Sequence, residues 1–103
     1  MAVARFFPKR AGEAVTLTFD FGPELPDGVT VASAGLSSVD VLTGSDEAAS
    51  AMLTGAAVAV GAKVLQRVSG GVVGTDYLVV ARAVLSDGQV REFAAVLPVR
   101  RVF

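Results

Sequence analysis

The sequence predicts an all-β fold, a sandwich of about seven antiparallel strands. Short runs rich in valine and other apolar residues alternate with turn signals roughly every 8–12 residues, a spacing typical of sandwiches. The clearest strand is Glu13–Phe21, where apolar and polar residues alternate so that one face is buried and the other solvated. Two long strands closed by a tight turn follow in the last third of the chain.

This final hairpin is the strongest local signal. We predict strands over Asp76–Leu85 and Gln89–Val99, joined by a turn at Ser86-Asp87-Gly88, because Asp and Gly tolerate the positive φ of a tight turn. The chain's single tyrosine, Tyr77, lies at the start of the hairpin. In immunoglobulin-like sandwiches a tyrosine at this place packs inward and bonds the backbone of the preceding loop. We therefore predict that role for Tyr77 and an immunoglobulin-like sandwich.

The segments next to the first strand extend the same pattern. On Glu13–Phe21 the apolar face consists of Val15, Leu17, Phe19 and Phe21. Leu25, in the Pro- and Gly-rich loop 22–28, is expected to close one end of the sandwich. Val29–Leu42 is too long and too β-branched for a helix. Gly35 divides it into two strands, which lie in one sheet or in two.

The middle of the chain supplies shorter elements. Asp46–Leu53 is predicted to form a single short helical turn, with Ser45 as its N-cap. Two short strands complete the count, Ala57–Val60 and Lys63–Val68.

Residues 1–12 precede the single sandwich domain, 13–103, as an N-terminal arm or an edge strand. This segment is basic, and Pro8 follows Phe6 and Phe7. Two interpretations stay open. The phenylalanines cap the core as a first edge strand, which we slightly favour, or they dock on a neighbouring subunit. The segment has neither the apolar stretch nor the cleavage site of a signal peptide.

The chain is apolar for its size. Hydrophobic residues make up 52%, charged residues only 18%, and the mean hydropathy is +0.60, yet no apolar run approaches the roughly 20 residues of a membrane-spanning helix. Both faces of the final hairpin are largely apolar, whereas a sandwich strand normally has one solvated face. We expect other protein chains, or the N-terminal arm, to cover the second face. An alanine- and valine-rich composition explains the high hydropathy equally well.

These patterns define a set of candidate contact residues. They come from the N-terminal aromatic pair, the outward face of Asp76–Leu85 and the basic C-terminal end of the last strand. The set is Phe6, Phe7, Leu78, Val80, Arg82, Val84, Arg100 and Arg101.

The composition excludes several kinds of chemistry. Histidine and cysteine are absent, so a His-based nucleophilic triad, a His/Cys zinc site and a disulfide cannot be built. The acidic residues lie mostly in turn or cap contexts such as Asp27-Gly28 and Asp87-Gly88. A net charge of −1 favours neither nucleic acid nor an anionic membrane. We expect no enzyme activity, cofactor, metal or small-molecule substrate.

Several motifs together point to a known group of proteins. The motifs are Phe7-Pro8-Lys9-Arg10-Ala11-Gly12-Glu13, Leu17-Thr18-Phe19-Asp20-Phe21, Ser50-Ala51-Met52-Leu53-Thr54-Gly55, Gln66-Arg67-Val68-Ser69-Gly70-Gly71, Tyr77 after Gly74, and Ser86-Asp87-Gly88. In this order and spacing the chain resembles small virion structural proteins of tailed bacteriophages and prophages. The resemblance implies an immunoglobulin-like sandwich at the head surface or the head–tail region, with no catalytic residues.

Two functions follow as expectations. The first is a non-enzymatic virion protein, assembled in the bacterial cytoplasm in multiple copies or as a homo-oligomer. It binds major capsid, portal, neck or tail subunits, and thereby decorates the capsid or joins head to tail. The alternative is a stand-alone adhesion or ligand-binding module, on a tail fibre or a cell surface, that binds through the loops Gly22–Gly28 and Thr43–Ser50.

Overall fold

Strands form wherever valine, threonine and aromatic residues recur at every second position. The computed structural model describes residues 4–6 and 8–101. Over these ranges it contains nine strands, numbered β1 to β9 in chain order. They are Ala4–Arg5, Lys9–Arg10, Ala14–Asp20, Val31–Ala34, Ser38–Thr43, Val58–Val60, Lys63–Ser69, Thr75–Leu85 and Val90–Arg100.

The strands form two sheets that pack as a sandwich. In the larger sheet β8 and β9 are the central pair; β1 and β2 flank β9, and β4 and β5 flank β8. The smaller sheet has the order β3-β7-β6. The seven strands β3 to β9 pair antiparallel, which confirms the predicted fold class. β1 and β2 are two further strands of two residues each, which pair parallel to β9.

The segment predicted over Val29–Leu42 forms β4 and β5, separated at residues 35–37. Both strands pair with β8, so they lie in one sheet and follow one another along the same edge. The structure thereby decides between the two arrangements that the sequence left open.

The core lies between the inward faces of the two sheets. It consists mainly of valine, alanine and aromatic side chains from β3, β7, β8 and β9. Three edge-to-face ring contacts join the sheets at one end: Phe6 with Phe19 at 5.4 Å, Phe19 with Phe93 at 5.8 Å and Phe21 with Phe93 at 5.8 Å between centroids. Such pairs stabilise a core beyond the area that they bury.

The final hairpin forms as predicted. Alternate residues of β8 from Tyr77 to Leu85 are buried, and Ala95 and Leu97 of β9 face them. At the turn, Gly88 has φ +90°, and the Asp87 carboxylate accepts the Gln89 N–H at 3.0 Å. Gly88 therefore supplies the positive φ as expected, whereas Asp87 does not have a positive φ and contributes its side-chain hydrogen bond instead.

The predicted helical turn is present but shorter and without its expected cap. A 3₁₀ helix spans Ala49–Met52, and Ser45 is not its N-cap, since the helix begins after Ala48 without a side-chain cap. The turn before it is instead fixed by Asp46, whose carboxylate accepts the Ala48 N–H at 2.9 Å. Met52 is buried and anchors the helix to the core. A second 3₁₀ helix, Gly22–Glu24, precedes Leu25, which packs against the core at the sandwich end.

Candidate protein-binding surfaces

The side of the larger sheet that faces away from the core, here called the outer face, remains partly open. On β8 the side chains of Leu78, Val80 and Val84 are partly exposed, and on β9 those of Ala94 and Val96 are as well. Register pairs Leu78 with Val96 and Val80 with Ala94, so these apolar side chains form one continuous strip over two strands. The strip is the kind of surface that protein partners cover.

The margins of the outer face add exposed apolar side chains. Leu42 on β5 is 52% exposed, and Val90 at the start of β9 is 54% exposed. Ser38 and Asp40 of β5 complete the edge, opposite Val80 and Leu78. The outer face is therefore an apolar centre with a more polar border, as in protein interfaces.

One ion pair interrupts the apolar strip. Arg82 Nη2 and Nε donate to Glu92 Oε2 at 2.7 and 3.2 Å, and both side chains are about half exposed. Solvent screening limits such a pair to about 1 kcal/mol. The pair therefore adds little stability, and both charges are accessible to a partner.

A short loop projects beside this ion pair. Gly35 N–H donates to Arg82 O at 2.8 Å, and a Cβ on Gly35 would lie 2.9 Å from Arg82 Cδ. The next residue, Leu36, is 89% exposed, the largest exposed fraction among the large apolar side chains of the described chain. Glycine thus allows the loop to lie close to Arg82 while Leu36 points into solvent.

The remaining candidate contact residues occupy different places. Arg100 bonds Asp76 at 2.5 Å at one end of β8 and β9, and Arg101 is exposed beyond it. Phe6 packs edge-to-face on Phe19, at the rim of the core and away from the outer face. Phe7 lies outside the described residues. Among the described candidates, the four of β8 thus form one group, and Phe6, Arg100 and Arg101 lie apart from it.

Tyr77 fixes the loops at one end of the sandwich. Its side chain is fully buried, and its hydroxyl accepts the Val72 N–H at 2.8 Å, which confirms the predicted bond to the preceding loop. The same hydroxyl donates to Asp46 Oδ2 at 2.7 Å, a contact that sequence reasoning missed. Burial raises the pKa of Tyr77; the Val72 bond opposes this shift, and Asp46 adds to it.

Two buried polar side chains were also missed. Lys9 is 2% exposed, and its Nζ donates to the carbonyls of Gly70 at 2.6 Å, Arg10 at 2.8 Å and Ala11 at 3.4 Å. Burial lowers the pKa of Lys9, and Glu13 partly offsets the shift. Gln66, also 2% exposed, donates to the carbonyls of Gly55 at 3.2 Å and Arg67 at 2.9 Å. The sequence signal for the burial of Gln66 was its position between Val64 and Val68 on the same face of an alternating strand.

The two loops of the ligand-binding alternative do not line a common cavity. The loop after β3 lines a pocket of about 570 Å³ together with Gly61 and Ala62. The loop after β5 lines a separate pocket of about 310 Å³ with residues 69–72. A single loop-built cleft is therefore not formed by these two segments.

The described residues contain neither a metal-binding cluster nor a membrane-spanning helix. Among residues 4–6 and 8–101 no group of three or more acidic, histidine or cysteine side chains is placed to hold a metal ion. In this part of the chain no helix has the length and apolar character to cross a membrane.

The fold and its open apolar face define a small β-sandwich protein with surfaces suited to protein contacts. Residues 9–98 match the family model described as podophage GP4 fiber-tail adaptor protein gp77. This match covers most of the chain, and the protein belongs to that family. It is accordingly a bacteriophage virion structural protein of an adaptor family, as the resemblance implied at this level. No curated protein and no solved structure matches the chain significantly.

Proposed function

We propose that this protein is a non-enzymatic adaptor that joins a fibre to the tail of a podophage virion by protein–protein contacts. The observation that supports the proposal is the family match over residues 9–98. An adaptor needs surfaces for other virion subunits, and the outer face supplies an apolar strip for one of them.

Fibre or tail subunits are the partners that we propose for the outer face. The sequence alone favoured capsid decoration or head–tail joining, with major capsid, portal or neck subunits as partners. The family description names fibre and tail. Capsid and portal subunits are therefore alternative outcomes of the test.

Leu78, Val80 and Val84 are the proposed anchors of the interface, with Arg82 as a polar contact at its centre. Apolar side chains that become buried on association stabilise a complex by about 25 cal/mol per Å² of buried apolar surface, before the entropy of association is subtracted. A carboxylate placed among them would be desolvated without a partner, which opposes binding.

The test compares two matched substitutions in phage that carries the gene. Val80→Asp places a charge in the outer face, whereas Val60→Asp makes the same change on β6, at a side chain 55% exposed in the other sheet. Both variants should remain folded, because neither side chain is in the core. We expect Val80→Asp to reduce incorporation into purified particles at least tenfold and Val60→Asp to leave it unchanged.

Two results would contradict the proposal. Wild-type incorporation of folded Val80→Asp protein would exclude the outer face as the interface. Particles that carry a full set of fibres after deletion of the gene would exclude the adaptor function itself.

A further inference from the structure

The backbone of β3 is open along one side. β3 pairs with β7 alone, and beyond its end Phe21 N–H donates to Ala62 O at 2.9 Å. Hydrogen-bonded and non-hydrogen-bonded residues alternate in an antiparallel pair, so this bond fixes the pattern along the strand. The N–H and C=O of Leu17 and Phe19 therefore point to β7. Those of Thr16 and Thr18 point away from it, to the open side.

Other sheet edges in the described ranges are covered or short. β4 lies beside β6, which brings those two edges together, and β5 packs against the 3₁₀ helix Ala49–Met52. In the part of the chain that the structure describes, β3 has seven residues and makes no comparable contact with an element other than β7. From Ala14 to Phe19 it contains neither a charge nor a proline, the devices with which proteins usually protect an edge from strand addition.

A groove runs beside this open edge, between β3 and the N-terminal strands. Its volume is about 220 Å³. Its apolar lining comes mainly from Phe6, Val15 and Leu17, and the charged residues Lys9 and Glu13 also line it. Recognition by strand addition combines main-chain hydrogen bonds with pockets for alternate side chains of the added strand. The open backbone groups and the groove supply both components side by side.

We propose that β3 accepts an extended segment of a fibre or tail subunit as an added strand, with an apolar side chain of that segment in the groove. The nature of the partner rests on the proposed adaptor function. The site itself defines the chemistry of the segment. An extended backbone is needed to pair with Thr16 and Thr18, and an apolar side chain is needed to fill the groove.

A second copy of this chain fits the site less well than a foreign segment. If β3 paired with β3 of another copy, the side chains on the inner side of the added strand would be Val15, Leu17 and Phe19. Leu17 and Phe19 are 4% and 1% exposed, since they already fill their own core. They are not free to enter a groove on a neighbour, so the groove would stay empty.

Thr18→Pro tests the proposal in assembled particles. Proline removes the N–H that points to the open side and leaves the bonds to β7, a position where edge strands tolerate proline. The control is Ala32→Pro, an exposed residue at the irregularity between Val31 and Ser33 of β4, where the register with β8 shifts. Circular dichroism verifies that both variants are folded. We then expect the fibre content per particle to fall at least tenfold for Thr18→Pro and to stay at the wild-type level for Ala32→Pro.

Hydrogen exchange of the wild-type protein gives a second measurement that needs no variant. The amides of Thr16 and Thr18 should exchange rapidly in the free protein and at least tenfold more slowly in purified particles. Unchanged exchange in particles, or full fibre content with folded Thr18→Pro, would overturn strand addition and leave the adaptor function standing. If deletion of the gene leaves fibres in place, the adaptor function fails instead.

Discussion

Tyr77 joins two loops at one end of the sandwich through its hydroxyl group. Its hydroxyl lies between Val72 of the preceding loop and Asp46, 31 residues earlier in the chain. Because the chain has one tyrosine and no tryptophan, its tyrosinate absorbance reports on this side chain alone.

We predict that Tyr77 titrates above the ordinary tyrosine pKa of about 10 in the folded protein. Burial raises this pKa, and the Asp46 carboxylate adds to the shift. Asp46→Asn should therefore lower the spectrophotometric midpoint toward the ordinary value. A wild-type midpoint at or below the value for unfolded protein in denaturant would contradict this account of the site.

The same shift predicts an alkaline loss of stability. Because the folded-state pKa lies above the unfolded value, the unfolded chain releases the tyrosine proton first as pH rises. Tyr77 therefore stabilises the fold fully below about pH 10, and this contribution is lost as pH rises to the folded pKa. Tyr77→Phe should be destabilised by about 2 kcal/mol below pH 10, since the Asp46 carboxylate loses a hydrogen bond. The difference in unfolding free energy between wild type and Tyr77→Phe should shrink above that pH, as measured by urea unfolding. Lys9 is present in both proteins, so its titration does not contribute to the difference. A constant difference would contradict the prediction.

Lys9 is predicted to stabilise the fold through its hydrogen bonds. Lys9→Met removes the donor to Gly70, Arg10 and Ala11 and leaves carbonyl groups without a partner, which should cost about 2–3 kcal/mol. The control is Lys63→Met, an exposed lysine at the start of β7, expected to stay within about 0.5 kcal/mol of wild type. Urea unfolding measures both free energies, and equal values for the two variants would show that the Lys9 contacts contribute nothing.

Among the elements, the loop after β7 should lose less stability from substitution at Gly70 than from substitution at its neighbour Gly71. Gly70 and Gly71 both have positive φ, +73° and +100°. A Cβ on Gly70 meets nothing within 4 Å, whereas one on Gly71 would lie 2.9 Å from Val99 and 3.1 Å from Met52. Gly70→Ala should cost about 1–2 kcal/mol for its backbone alone, and Gly71→Ala at least about 1 kcal/mol more, by thermal unfolding. The reverse order would contradict the packing described for this loop.

Elements with a clear period were predictable from a single segment, whereas the bounds and the pairing of β1 and β2 were not. β3, β8 and the turn at Asp87-Gly88 follow from alternation and turn chemistry that a single segment contains. β1 and β2 have two residues each, too few for any period, and their parallel pairing with β9 depends on the fold. The path of the chain after Gly35 was open for the same reason, because strand order is not a local property.

The buried polar contacts escaped prediction because their partners are far apart in sequence. Lys9 reaches Gly70 across 61 positions, and Tyr77 reaches Asp46 across 31. Nothing local distinguishes Lys9 or Asp46 from the other charged residues of turns and loops. The outward apolar residues of β8, by contrast, were predictable as a group, because an alternating strand with two apolar faces is visible in the sequence itself.

The two surfaces that we propose for partners lie on different sheets of the sandwich. The outer face belongs to the larger sheet, and the open edge of β3 belongs to the smaller one. A protein that binds partners on both could join two components of a particle without a second domain. This arrangement supports the adaptor function that we propose from the family.

We propose that the outer face contacts a fibre or tail subunit in the virion. The most direct measurement places a photo-crosslinking amino acid at position 80 or, as a control, at position 60, and identifies the products by mass spectrometry of irradiated particles. We predict a cross-link from position 80 to a fibre or tail subunit and none from position 60. Cross-links from position 80 to the major capsid or portal subunit, or from position 60 alone, would contradict the account.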